Sequence, residues 1–124
     1  MPDFTNRLRG KSIVRITETG AVTINLSQLS ANTNTENVYA ATISSMRWSL
    51  HPSNGVMTIT RQNVGGVANL LGTFYGTDHW SVDDHNFAGS NTATGNVTVN
   101  ITTAGICEIV FTKSANYNVE TQAL

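Results

Sequence analysis

Apolar residues alternate with Thr, Ser and Asn along almost the whole chain, the period-two pattern of a half-buried β-strand. Ser12–Thr17 is the first such run. After a turn signal at Gly20, Val22–Ser27 places Val22, Ile24 and Leu26 on one face. Ser30–Asn37 is a polar loop, and Val38–Leu50 holds one long strand or two short ones, with Met46, Trp48 and Leu50 together. The segment His51-Pro52-Ser53-Asn54-Gly55 predicts a hairpin turn, since Asn-Gly tolerates positive φ and Pro52 lacks a ladder donor. Val56–Arg61 is expected to return along it.

Asn63-Val64-Gly65-Gly66 is a further turn, followed by a more apolar run, Val67–Tyr75, in which Gly72 marks a bulge. His79–Val82 is a short strand, and Asp83–Gly95 the longest stretch without a pattern. Val97–Ile101 and Ile106–Thr112, joined at Thr103-Ala104-Gly105, predict a second hairpin. No segment carries a helical period. The expectation is an all-β fold, an antiparallel β-sandwich or small barrel of about eight strands. It divides into a short basic N-terminal arm over residues 1–11 and a single β domain over 12–124.

Composition sharpens this. Thr, Asn and Ser account for 42 of the 124 residues, and charged residues for 12%, about half the usual globular share. Thr is stiff at its branch point, and Ser and Asn compete for backbone hydrogen bonds, so a helical bundle or coiled coil is excluded. A surface solubilised by hydroxyls and amides also depends little on ionic screening. The N-terminus has no apolar h-region and no run approaches a membrane span, so neither export by a standard signal nor a membrane partner is expected.

The net charge of −1 conceals an asymmetry. Arg7, Arg9, Lys11 and Arg15 are four of the seven basic residues, while the rest of the chain is acidic. One reading is an arm that reaches an acidic surface on a neighbour, with Phe4 and Leu8 as apolar anchors beside Arg7, Arg9, Lys11 and Arg15. The other is an edge strand decorated with Arg against edge-to-edge pairing. Four charges without an aromatic platform make a poor nucleic-acid footprint, so no nucleic-acid partner is expected.

Candidate chemistry is sparse. The run Asp78-His79-Trp80-Ser81-Val82-Asp83-Asp84-His85 holds imidazoles and carboxylates that suit a divalent metal or an activated water. Its spacing matches no established ligand motif, and a polar loop with Asp side chains capping turns explains it as well. No nucleophile elbow or P-loop is present. Cys107 alternates with Ile106 and Glu108 and reads as a small core hydrophobe. Trp48, Phe74, Tyr75, Trp80 and Phe111 read as core, with one or two at an interface. No catalytic residue, cofactor or metal is expected.

From Met46 onward the chain shows a turn-and-strand rhythm with paired tryptophans. Its elements are Met46-Arg47-Trp48-Ser49, Asn54-Gly55-Val56-Met57-Thr58-Ile59-Thr60, Leu70-Leu71-Gly72, His79-Trp80, Thr94–Ile101 and Gly105–Lys113. This rhythm, over about two-thirds of the chain, resembles small β-rich virion accessory proteins of tailed bacteriophages. The resemblance implies a capsid decoration (cement) protein, made in the host cytoplasm and bound to the capsid exterior. Its partners would be the major capsid protein and copies of itself. A neck or tail component, or a glycan- or host-surface-binding module, is the alternative.

Overall fold

A computed structural model of the chain describes residues 2–7, 10–32, 35–52, 54–62, 68–81 and 95–117. The elements are β1 (Asp3–Thr5), β2 (Lys11–Ile16), β3 (Gly20–Ile24), a single 3₁₀ turn (Leu26–Leu29) and β4 (Glu36–His51). They continue as β5 (Val56–Gln62), β6 (Ala68–Tyr75), β7 (Thr77–Ser81), β8 (Val97–Ile101) and β9 (Ala104–Tyr117). These form two antiparallel sheets, one in the order β1-β2-β9-β4-β7 and the other β3-β8-β5-β6. Without β1, the remaining eight strands are in the order of a jelly roll. The all-β sandwich expected from the alternation is what forms.

Alternation decides which side chains meet. The five-stranded sheet turns Val14, Ile16, Met46, Trp48, Leu50, Cys107, Ile109 and Phe111 inward. The four-stranded sheet turns Ile24, Met57, Ile59, Val97, Val99 and Ile101 to face them. Full burial of each such side chain stabilises by roughly 1.5–3 kcal/mol. Trp48 reaches across the layers to Phe74, ring centroids 4.8 Å apart and edge to face, and its indole Nε1 donates to the Tyr75 carbonyl at 3.0 Å.

Both predicted hairpins are corrected. β4 pairs with β9 and β7, whereas β5 pairs with β6 and β8, so the chain turns a corner between sheets from His51 to Val56. The same holds for β8 and β9 around Thr103. These corners are fastened to one another: the Thr102 backbone N–H and Oγ1 both donate to the Val56 carbonyl, at 3.0 and 2.9 Å. Turn residues specify that the chain reverses. They do not specify whether the next strand joins the same sheet or the opposite one. Consecutive strands that do pair antiparallel are β1 with β2 and β5 with β6, the latter with a register shift between Ile59 and Thr60, opposite Gly72.

β4 also starts earlier and β9 runs later than alternation indicates, because a polar cluster closes the end of their ladder. The Lys113 ammonium, fully buried, donates to Glu36 Oε1 at 3.0 Å, the Leu29 carbonyl at 2.9 Å and the Asn6 carbonyl at 3.2 Å. Glu36 further accepts from the Ala31 N–H at 2.7 Å and the Tyr117 hydroxyl at 3.0 Å. Burial alone raises the carboxyl's pKa. The bonds from Ala31, Lys113 and Tyr117, with the lysine charge, outweigh that and hold it below its ordinary value.

Candidate functional site

The outward positions of the five-stranded sheet carry the chemistry. In register across the strands, Asp3 of β1 stands beside Arg15 of β2, Arg15 beside Glu108 of β9, Glu108 beside Arg47 of β4, and Arg47 beside His79 of β7. One row of the sheet is therefore a ladder of alternating sign ending on an imidazole. Within it Arg47 donates from Nε at 3.2 Å and Nη2 at 2.9 Å to Glu108 Oε1. The next row is Thr5, Ile13, Val110, Ser45 and Ser81, and Ile106 and Ser49 lie beyond the charged row on the other side. Ile13, Ile106 and Val110 are half-buried, so aliphatic surface lies among the charges.

This face carries open depressions. A groove of about 570 Å³ runs along it, lined by Arg15, Arg47, Ser49, Thr77, His79 and Ile106 among others. A neighbouring depression of about 310 Å³ lies over Ser45, Trp80, Ser81 and Val110. Guanidinium, carboxylate, imidazole and hydroxyl groups around aliphatic side chains make a surface suited to polar and apolar contact with another macromolecule.

The outer face of the four-stranded sheet has a different composition. Its rows are Thr23, Thr98, Thr60, Leu70 and Ala21, Asn100, Thr58, Thr73. Arg61 is the only charged residue in those four strands, and it points inward, 1% exposed, donating from Nε to the Gly95 carbonyl at 2.9 Å. Burial pulls its guanidinium pKa down to about 10. A Cβ at Gly95 would collide with the Gln62 carbonyl, so glycine is required where this corner meets the end of β5. Leu70 and Tyr75 stand exposed along β6.

The residues expected to contact a partner are separated by the fold. Arg15 and Lys11 lie exposed on the outer side of β2, Arg15 within the charged row. Arg7 is exposed after β1. Phe4 stands in register with the buried Val14 and packs against the core. Leu8 and Arg9 lie outside the described residues. Residues 3–5 of the expected arm are sheet, and Asn6 is tied down by Nδ2 to the Gln28 and Ser30 carbonyls at 2.7 and 3.2 Å.

Of the Asp78–His85 run, Asp78 to Ser81 are described and 82–85 lie outside. Asp78 Oδ1 accepts the His79 backbone N–H at 2.8 Å and lies 3.7 Å from His79 Nδ1, with both side chains well exposed. Among the described residues no three His, Cys, Asp or Glu side chains converge to hold a metal. Cys107 is fully buried, and burial with the adjacent Glu108 charge pushes its thiol up to about 12, an inert state.

Sequence reasoning missed Arg47, Glu108 and His79 as members of one row. Each sits at an outward position of an alternating run, which is visible in the sequence. Their adjacency needs the pairing register, which is not.

No protein-family model and no curated protein matches the chain. Among solved structures it is similar to the crystal structure of Drosophila melanogaster CENP-C bound to CAL1. That likeness has a TM-score of 0.38 and 6% identity, over 91% of this chain and 76% of that chain.

Proposed function

We propose that this chain is a structural, non-catalytic adhesion domain, an accessory component of a virion shell of the capsid-decoration kind, bound to the capsid exterior. In this reading its work is to hold neighbours, copies of itself and the major capsid protein, through broad sheet faces. The observation that carries the adhesive part is the outer face of the five-stranded sheet: a charge ladder interleaved with half-buried Ile13, Ile106 and Val110 over an open groove. Charges among aliphatic side chains orient a protein partner and exclude wrong ones. The virion assignment is supported by the likeness of strand rhythm from Met46 onward and by the hydroxyl-rich surface.

The test is the composition of purified particles. Quantitative mass spectrometry finding this chain in proportion to the major capsid protein supports a shell role. A few copies per particle support the neck or tail, and absence from particles overturns the virion assignment.

A second reading, a glycan- or host-surface-binding module, is favoured by exposed Tyr75 beside the threonine rows of the four-stranded sheet. An aromatic face with hydroxyl groups nearby suits a sugar ring. Binding on a glycan array that is lost in Tyr75→Ala supports this second reading over the first.

A further inference from the structure

The charged row has a symmetry property. Read across β1, β2, β9 and β4, it runs Asp3, Arg15, Glu108, Arg47, or minus, plus, minus, plus. Reversed, the same row runs plus, minus, plus, minus. A surface with this property is complementary to its own copy, the requirement for an isologous two-fold contact.

We propose that this face is the interface of a homodimer, two five-stranded sheets packed face to face about a two-fold axis running along the strands between β2 and β9. The proposal rests on the reading of the chain as an adhesive domain and names the occupant of its contact face. Rotation about that axis flips the sheet over and reverses the row. Arg15 of one copy then meets Glu108 of the other, and Asp3 meets Arg47, each contact occurring twice. In the adjacent row Ile13 meets Val110, placing aliphatic contacts beside the ion pairs. An axis running across the strands would instead set each charge opposite its own copy. Alternation of sign therefore selects one axis and excludes the other.

The size of the face fits a reversible association. Strands about 4.8 Å apart and six residues of about 3.3 Å rise give a patch roughly 20 Å on a side. Two such patches bury on the order of 1,000 Å² with side-chain relief, the small end of specific interfaces. Its orientation is set by opposite charges on a small face, so added salt weakens the contact.

The geometry makes a demanding prediction. Arg15→Glu alone sets a second carboxylate against Glu108, and Glu108→Arg alone sets a second guanidinium against Arg15, so neither variant pairs with itself. In a mixture of the two, every position of the row is again opposite in sign. Sedimentation equilibrium of the full chain at low salt is expected to show the wild type rising with concentration from 13.3 kDa toward twice that mass. Each variant should stay monomeric, with unchanged circular dichroism, and an equimolar mixture should regain the dimer. A wild type that stays monomeric at the highest soluble concentration, a dimer that persists in either variant alone, or a mixture that stays monomeric overturns the interface. Particle binding by a monomeric wild type would remove this inference and keep the proposed function. A dimer that obeys the charge rules yet never appears on particles would do the reverse.

Discussion

Read across its strands, the outer face of the five-stranded sheet is Asp3, Arg15, Glu108, Arg47 and His79, whereas that of the four-stranded sheet is Thr23, Thr98, Thr60 and Leu70. Both are pleated surfaces over one core, and both are flanked by half-buried or exposed apolar residues. On the threonine face, hydroxyls satisfy one another locally, as in the Thr23 to Thr98 contact at 3.1 Å, and such groups hydrate without favouring any orientation of a neighbour. On the charged face, Arg47 holds Glu108 and keeps 74% of its own side chain exposed. Signed groups in fixed order carry directional information that hydroxyls lack. That difference is why the charged face is read as the specific contact and the threonine face as a hydrated exterior.

Both faces hang on one shared core, and the largest expected effects come from the residues that close it. Lys113→Met removes the buried ammonium that Glu36 and two backbone carbonyls depend on, leaving a carboxylate without its counter-charge. Removing one partner of a buried pair costs about 3–5 kcal/mol, so the urea midpoint should fall steeply in a single transition. Two separated transitions would mean that the sheets do not unfold together. Trp48→Phe keeps an aromatic ring against Phe74 but drops the donor to the Tyr75 carbonyl. A loss of about 1–3 kcal/mol is expected from the stranded acceptor, read from the same urea curve.

The acid limb of stability follows from the same cluster. The Glu36 carboxyl lies below its unfolded value near 4.5 in the folded chain. Its contribution is therefore fully present above the unfolded pKa and is lost as pH falls through the folded one. Thermal melts should show stability declining below about pH 4.5, and Glu36→Gln should be less stable at pH 7 with a shallower decline on acidification. An acid limb as steep in Glu36→Gln as in the wild type would assign the loss to other carboxylates.

How much of this was legible in the sequence depends on the range of the interaction. Alternation alone identified the strands that supply Met46, Trp48, Ile59, Val99 and Ile109 to the core, because period-two burial is a local property of the chain. It also gave Cys107 its buried place. It could not give Glu36 or Lys113 as interior residues: a charge at an inward position breaks the pattern unless its partner, 77 positions away, is known. The corners at 51–55 and 103–105 failed for a related reason, since Asn-Gly and Ala-Gly encode reversal and the choice of sheet is decided by what packs opposite. The basic cluster at the N-terminus was visible as composition. Its role changed once register put Arg15 beside Glu108 and turned Phe4 toward Val14.

The smallest effect on stability is expected to separate the two faces most sharply. Arg47→Ala removes an ion pair whose arginine is largely solvated, and exposed pairs contribute about 0.2–1 kcal/mol, so the urea midpoint should hardly move. Thr98→Ala deletes one hydroxyl from a cross-strand Thr pair on the opposite face, at a cost of a similar few tenths to about 1 kcal/mol. Matched in stability, the two variants differ in what they do to association. Arg47→Ala takes away the group that faces Asp3 of a second copy, twice per dimer, and self-association at low salt should weaken several-fold. Thr98→Ala should leave it unchanged. If sedimentation instead shows the threonine variant dissociating and the arginine variant intact, the faces have been assigned the wrong way round: charge would then be the solubilising surface, and the hydroxyl rows with Leu70 and Tyr75 the adhesive one.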